Sequence, residues 1–345
     1  MSTSRNRLRP PRPARVALGS GAPAPGRAFD PLVVDEAALR ARVSPTRGLP
    51  ALDLPTAVAL VRDRHGVDFA LARARAGISR GHLLDVVLEL PGGRNAAEEG
   101  VAAEELVRFV LGEARAADWI GSVASLAGPR GGLLQVVQPR AGDGRFFPLG
   151  ELVPAVEAAI QGVHAGLAAA PLWTLGGEQR WYLFELDVEA AAEYPGQADV
   201  ALVSTFMPEL VKCFLAGAAF ASTRFSRVGE LFLYLKYVSV ERDPRHALAR
   251  RRVLEDALDA ALVSERAGRV IGGGMGVLYS YVNFACLALG PALEVVRDVA
   301  ARVGLSEKTW IQFFDSALGD AWVSVLGGEV PPPGFEGAAA LGDAR

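Results

Sequence analysis

The sequence predicts an α+β fold in which one βαββαβ unit occurs twice in tandem, with antiparallel sheets. Two observations predict this fold. The order strand, helix, strand, strand, helix, strand can be read over residues 81–188 and again over residues 230–326. In both passes a glycine-rich corner separates the two middle strands, at 128–132 and at 272–276. Such corners are typical of tight connections between neighbouring strands.

The first copy opens with a strand, because leucine and valine occupy alternate positions over residues 82–90. Acidic residues crowd the start of the next segment, where a helix dipole favours negative charge. The predicted elements of this copy are a strand at 82–90, a helix at 96–116, strands at 119–127 and 133–138, a helix at 149–167 and a strand at 180–188.

The second copy repeats this order. Leucines 231, 233 and 235 alternate with larger side chains, and Pro244 suits the first turn of a long helix. The predicted elements are a strand at 230–240, a helix at 244–266, strands at 269–277 and 279–289, a helix at 290–303 and a strand at 310–314. This order is the ferredoxin-like arrangement, so the sequence predicts two tandem ferredoxin-like repeats.

Four further segments flank or join the two copies. Residues 1–50 are rich in proline and arginine without apolar periodicity, which predicts a disordered arm. Residues 51–80 predict a helical lead-in, with helices at 55–66 and 67–76. We expect a helical connector at 189–229, chiefly at 207–219, and a flexible tail at 327–345.

Composition limits the classes of function. The 345-residue chain has a formal net charge of −3, so bulk charge attracts neither nucleic acid nor an anionic membrane. No apolar window reaches the length of a membrane span and no signal peptide opens the chain, so we expect a cytoplasmic protein without membrane partners. Arginine far outnumbers lysine, a bias typical of GC-rich bacterial genomes. Cys213 and Cys286 lie in apolar runs and are expected to be buried free thiols.

Most standard catalytic and cofactor motifs are missing from the sequence. It holds no phosphate-binding loop that ends in Lys-Ser/Thr, no His-Glu-x-x-His and no Cys-x-x-Cys. The four histidines lie in different elements without a second ligand at metal-binding spacing. We therefore expect no cofactor and no metal, and a non-enzymatic role is favoured.

One string could still serve an enzyme. Residues Gly272, Gly273, Gly274 and Gly276 offer bare backbone N–H groups that could cradle an anion, although glycines also relieve crowding between strands. Asp315 follows the last predicted strand and could act as a base, or could cap the next turn. The enzyme hypothesis is therefore a small anionic substrate bound at 272–276 beside Asp315.

The strands of the second copy are rich in aromatic residues. The string 279–284 (YSYVNF) resembles the later part of the octamer motif of RNA-recognition domains, and 231–235 (LFLYL) resembles their hexamer. This resemblance implies base stacking on Phe232, Tyr279 and Tyr281, with Tyr234 on the same surface. The alternative is an internal interface, because aromatic residues are favoured in strands and sheet faces often cover each other.

A shorter string points to DNA. Residues 70–83 (ALARARAGISRGHL) resemble the turn of a helix-turn-helix reader, which implies that Ser79 caps a helix and that Arg80 and His82 face DNA. The residues that follow alternate like a strand, which opposes this interpretation.

The leading hypothesis is a non-enzymatic binding or regulatory protein that contacts a protein partner through its sheet faces or through the segment 189–229. A small-molecule ligand is compatible with this role, and nucleic acid is disfavoured by the charge. The two alternatives are the enzyme that uses 272–276 and Asp315, and RNA binding through the aromatic residues.

Overall fold

The computed structural model describes residues 34–90, 96–127, 145–188, 194–239, 243–328 and 330–335. These residues form a mixed α+β structure with one four-stranded and one seven-stranded sheet, which confirms the predicted class. The chain divides into two compact units. The large unit comprises Met1–Val43, Ala168–Ser222 and Ser226–Arg345, and the small unit comprises Ser44–Leu167 and Thr223–Phe225.

The helices and strands follow one another in this order. Up to residue 165 they are α1 (Glu36–Arg42), α2 (Leu54–His65), β1 (Arg73–Ile78), β2 (Leu84–Leu90), α3 (Ala96–Leu111), α4 (Glu113–Trp119), β3 (Ile120–Ala127), β4 (Phe147–Pro148) and α5 (Leu152–Ala165). From residue 182 they are β5 (Tyr182–Glu185), β6 (Val200–Thr205), α6 (Pro208–Leu215), β7 (Leu231–Val238), α7 (Pro244–Ser264), β8 (Arg269–Gly276), β9 (Tyr279–Cys286), α8 (Leu289–Arg302), β10 (Thr309–Phe313) and β11 (Trp322–Ser324).

The small unit is a four-stranded sheet in the order β3-β2-β1-β4. Strands β1 and β2 pair antiparallel, whereas β2 and β3 pair in parallel, so α3 and α4 form the crossover that parallel neighbours require. Apolar side chains from β2 pack against α2, α3 and α5 in one core. The capping of α2 is local: the Asp53 side chain accepts from the Thr56 N–H, and Gly66 ends the helix at a φ of 67°.

The small unit departs from the predicted first copy. Residues 73–78 form β1, although we predicted a helix at 67–76, so the segment also lacks the helix-turn-helix geometry. Alanine and arginine favour helices, but pairing with β2 overrides that preference.

The predicted strand at 133–138 lies outside the described residues. The predicted closing strand exists as β5, but β5 belongs to the seven-stranded sheet. The tandem repeat is therefore not confirmed.

The large unit is a seven-stranded sheet in the order β11-β10-β7-β9-β8-β6-β5, and all its neighbouring strands are antiparallel. Helices α7 and α8 pack on one face. From β7 to β10 the elements succeed each other as strand, helix, strand, strand, helix, strand, the order predicted for residues 230–326. Strands β6 and β5 extend this set at one side, and β11 extends it at the other.

The core of the large unit follows from period-two alternation. Leu231, Leu233 and Leu235 of β7 face the helices, as do Val282 and Phe284 of β9. Asp243 caps the start of α7, because its side chain accepts from the Arg245 N–H. Both cysteines are buried and neither forms a disulfide, as expected.

Two segments hold regular structure that the sequence reading missed. Helix α1 lies within the segment 1–50 that we expected to be a disordered arm, and its Leu39 is 1% exposed in the core of the large unit. Strand β6 lies within the segment 189–229 that we expected to be mainly helical, although α6 there agrees with the helix expected at 207–219. Among the helices of the described residues, none has both the length and the apolar character needed to cross a membrane.

Candidate functional site

The face of the seven-stranded sheet opposite α7 and α8 carries polar and aromatic side chains. The strand register places them in two neighbouring rows across β9, β7, β10 and β11. The first row is Tyr281, Lys236, Trp310 and Ser324, and the second is Asn283, Tyr234, Gln312 and Trp322. We call these eight residues the polar–aromatic layer. All but Tyr234 are below 10% exposed, which is unusual for so many polar groups on one sheet face.

Lys236 is held among tyrosine rings. Its Nζ lies 3.6 Å from the ring centroid of Tyr194 and 4.5 Å from that of Tyr279. The side chain is 1% exposed. An ammonium group over aromatic faces is attracted by their negative quadrupole, and the attraction strengthens when water is excluded. These contacts explain how a lysine is accommodated inside the layer.

Asp199 organises the edge of the layer beside the turn between β8 and β9. Its carboxylate accepts from the Tyr281 hydroxyl at 2.8 Å and from the backbone N–H groups of Leu278 at 2.8 Å and Tyr279 at 3.2 Å. A side chain at Gly276 would lie 2.8 Å from the Asp199 backbone oxygen, so only glycine fits there. Asp199 thus fixes the turn and the tyrosines together.

Burial sets the protonation of the tyrosines. Desolvation raises the pKa of Tyr194, Tyr234, Tyr279 and Tyr281, and for three of them the nearby Asp199 carboxylate adds to the rise. These hydroxyls are therefore neutral at physiological pH. They can donate hydrogen bonds, but they do not supply a phenolate base.

Other side chains of the unit close over the layer. Tyr194 covers Lys236, and the Phe220 ring lies 5.8 Å from Phe232 and 5.5 Å from Phe314. Within the described residues, Gln312 Nε2 and Ser324 Oγ are buried without a hydrogen-bond partner. Such groups inside a protein commonly hold an ordered water.

The structure brings together the four predicted aromatic residues Phe232, Tyr234, Tyr279 and Tyr281, but it does not leave them open. Phe232 is 0% exposed and Tyr281 is 7% exposed. A base cannot stack on a ring whose face is already covered. Phe232 and Tyr281 are therefore covered by other parts of the large unit.

The glycine string lies inside β8 and not in a hairpin corner. Strand β8 pairs with β6 on one side and with β9 on the other. A side chain at Gly272 would lie 2.8 Å from Thr205 Cβ, and one at Gly273 would overlap the Glu255 carboxylate of α7. These glycines allow close approach of neighbouring elements, and their backbone serves the sheet rather than an anion.

Asp315 is a buried structural carboxylate. It accepts from the Ser222 N–H at 2.8 Å and from the Ser222 hydroxyl. Gly272 and Gln312 lie in one cross-strand row with Asn283 and Tyr234 between them, which is three strand spacings, or roughly 14 Å. The glycine string and Asp315 therefore do not form one cleft.

The most exposed apolar surface of the large sheet lies at its edge strand, β5. Trp181 and Leu183 are 51% and 62% exposed, whereas Tyr182 and Phe184 on the opposite face are half-buried. In the part of the chain that the structure describes, β5 pairs only with β6. The sequence predicted this strand but placed it in the first copy, so its position at an open edge was missed.

The open edge of β5 presents backbone groups at known positions. The Leu186 N–H donates to the Ala201 oxygen of β6 at 2.8 Å. The backbone N–H and C=O groups of residues 182, 184 and 186 therefore point toward β6. By alternation, Leu183 and Glu185 point their backbone N–H and C=O groups away from β6. We call β5 with Trp181 the β5 edge.

No protein-family model, curated protein or solved structure matches the chain. In the described residues no three His, Cys, Asp or Glu side chains come together as metal ligands do.

Proposed function

We propose that this chain is a non-enzymatic binding protein that takes up an extended segment of a partner protein along the β5 edge. The observation that carries this proposal is the combination of two exposed apolar side chains, Trp181 and Leu183, with an edge that no described strand covers. Strand addition to a sheet edge is a common mode of peptide recognition, in which the backbone supplies affinity and the side chains supply specificity.

An exposed edge of this kind is normally protected. Sheet proteins prevent edge-to-edge association by placing lysines, prolines or bulges at an edge strand, or by keeping that strand very short. Residues 181–187 (WYLFELD) contain no proline and no lysine, and two of their most exposed side chains are apolar. The four-residue length of β5 and the exposed Glu185 limit indiscriminate pairing, but the two exposed apolar side chains leave the edge able to associate.

The charges of the edge define the partner. Glu185 and Asp187 are exposed on the same face as Trp181 and Leu183, because the side chains alternate. A complementary segment would place apolar residues opposite Trp181 and Leu183 and a basic residue opposite Glu185. A second copy of this chain fits less well, because its own edge brings acidic residues and no lysine.

Two finer proposals accompany this function. We propose that β7, α7, β8, β9, α8 and β10 form a ferredoxin-like unit, which their spatial strand order β10-β7-β9-β8 supports. We also propose a bacterial cytoplasmic location, supported by the scarcity of lysine and by two buried cysteines that form no disulfide.

A peptide-display selection against the full chain tests the β5 edge. We expect peptides with alternating apolar residues and at least one lysine or arginine. Their binding should weaken at least about tenfold in Leu183→Lys, because a charge replaces the apolar contact and repels the basic partner. Selected peptides that bind Leu183→Lys as tightly as the natural chain would contradict the proposal, as would a selection that yields no binder.

A backbone variant separates strand addition from a mere hydrophobic contact. Glu185→Pro removes an N–H that points away from β6, and an edge strand tolerates proline at such a position. We expect Glu185→Pro to lose most peptide binding, while the matched control Glu185→Ala retains it within a few-fold. Equal binding by the two variants would rule out strand addition.

A further inference from the structure

The segment that follows β11 returns to the face of the large sheet that carries the polar–aromatic layer. There the Trp310 indole N–H donates to the Val330 backbone oxygen at 2.8 Å. The three prolines that follow are buried or half-buried, and Pro332 is the most covered of them. We call residues 330–335 (VPPPGF) the proline segment. Trp310 and the proline segment belong to the same compact unit.

The sequence of the proline segment restricts its backbone. A residue that precedes proline is confined to extended backbone angles, and this applies in turn to Val330, Pro331 and Pro332. Proline itself fixes φ at about −65°, so these residues favour polyproline II geometry. The segment then turns, because the Phe335 N–H donates to the Pro332 oxygen at 3.0 Å and Gly334 has a φ of 91°.

Aromatic side chains line the surface beside the proline segment. Trp310 is 1% exposed, and its ring centroid lies 6.1 Å from that of Tyr279. Tyr279 in turn packs edge-to-face on Tyr194, with 5.3 Å between the ring centroids. A Cβ atom at Gly334 would lie 4.0 Å from Tyr194 Cε1, so the proline segment reaches both ends of this aromatic row. Surfaces lined by aromatic rings are the usual docking sites of proline-rich segments.

The way in which the proline segment is attached permits its exchange. Proline has no N–H, so residues 331–333 cannot pair with the sheet as a strand does. The segment offers carbonyl groups instead, as the Val330 oxygen does to Trp310. Ser324 lies directly across from Trp310 on the same face, and within the described part of the chain its hydroxyl is buried without a hydrogen-bond partner. The resident segment therefore leaves one possible donor of this surface unused.

We infer that the row formed by Tyr194, Tyr279 and Trp310 is a docking surface for a proline-rich segment of a partner protein, which displaces the resident proline segment. A partner segment with further carbonyl groups can also accept from Ser324. A second copy of this chain is not the occupant, because its proline segment makes the same contacts without the advantage of a tether. The surface does not depend on the β5 edge, which lies five strand spacings, or roughly 24 Å, from β10.

Fluorescence anisotropy of the full chain with a labelled VPPPGF peptide tests this surface. The natural chain should bind the peptide weakly, because its own proline segment holds the site. Pro332→Asp should bind it at least about tenfold more tightly, because a carboxylate is disfavoured where Pro332 is buried and the resident segment is released. Val253→Asp adds the same charge at an exposed position of α7, on the opposite face, and should behave like the natural chain. Equal affinity of Pro332→Asp and the natural chain, or no binding by either, would overturn the proposal.

Further comparisons in the Pro332→Asp chain identify the contacts. A VAAAGF peptide should bind at least about tenfold more weakly than VPPPGF, because it is not held in an extended form before binding. Adding Trp310→Phe should weaken VPPPGF binding at least about fivefold, because the indole N–H is lost. Adding Tyr194→Ala, which removes a half-buried ring, should weaken it similarly and serves if Trp310→Phe does not fold. If VAAAGF binds as tightly as VPPPGF, or if neither ring substitution weakens binding, the assigned surface is wrong.

Discussion

The substitution Gly273→Ala probes how closely α7 approaches the seven-stranded sheet. A Cβ atom at Gly273 would overlap the Glu255 carboxylate and would lie 2.7 Å from the backbone oxygen of Tyr281. Real Cβ contacts are essentially never shorter than 3.0 Å. The Glu255 side chain could move away, but the backbone of β9 could not move without disturbing its ladder with β8.

The expected loss follows from what has to move. Glu255 lies 3.0 Å from Arg251, which is 2% exposed. Separating a buried ion pair costs about 3–5 kcal/mol, and overpacking a core typically costs about 1–3 kcal/mol. Because Glu255 can retain part of its interaction after a shift, we expect Gly273→Ala to lower the free energy of unfolding by about 2–4 kcal/mol.

The neighbouring glycine supplies the control. A Cβ atom at Gly274 would find its nearest neighbour at 3.5 Å, which is ordinary van der Waals contact. Alanine also loses less backbone entropy than glycine on folding, so Gly274→Ala should change stability by less than about 1 kcal/mol. Urea unfolding, followed by tryptophan fluorescence and checked by calorimetry, measures both variants. If the two substitutions destabilise the chain equally, the contact between α7 and β8 is not what requires glycine.

Two further predictions concern buried charges. Burial raises the pKa of Glu230 from its ordinary value of 4.5, so the folded chain holds this proton more tightly than the unfolded chain. Stability should therefore fall as the pH rises above about 4.5, and urea unfolding of Glu230→Gln over the same pH range should show a flatter dependence. Parallel curves for the variant and the natural chain would contradict this. In the small unit, Arg224 is 0% exposed and donates to the backbone oxygens of Gly81, at 3.1 Å, and Asp118. Arg224→Met should cost about 2–4 kcal/mol in the same assay because it leaves these oxygens unpaired, and a loss below about 1 kcal/mol would contradict this.

The best predicted part of the fold lies between β7 and β10. There the period-two pattern of leucines in β7 and the helical segment after Pro244 agree with local preference, so sequence and tertiary structure give the same answer. The predicted boundaries of β7 and α8 differ from those observed by only a few residues. Local sequence signals are sufficient where the periodicity of an element's own residues identifies its buried face.

The missed elements depend on partners that are distant in the chain. Residues 73–78 (RARAGI) alternate arginine with small apolar residues, but alanine and arginine favour helices, and it is the pairing with β2 that makes this segment β1. Residues 200–205 (VALVST) form a short apolar run, and such runs do not distinguish a strand from a buried helix. Helix α1 has seven residues and is held by contacts of Leu39 with the core of the large unit.

The candidate sites show the same division. The aromatic residues Phe232, Tyr234, Tyr279 and Tyr281 were correctly grouped by strand alternation, but whether other segments cover them cannot be read from alternation. The sequence predicted β5 as a strand, but it could not show that β5 lies at the edge of the sheet, because that position depends on pairing with β6.

The placement of α1 has a consequence for the order of folding. The Glu36 carboxylate accepts from the Leu289 N–H at 2.9 Å. This contact of α1 can form only after Leu289, which lies 253 positions later in the chain, has been synthesised. Most of the small unit, in contrast, is encoded between these two points. We therefore expect the small unit to gain structure first during synthesis, with α1 docking as a late step whose rate is limited by closing this long loop.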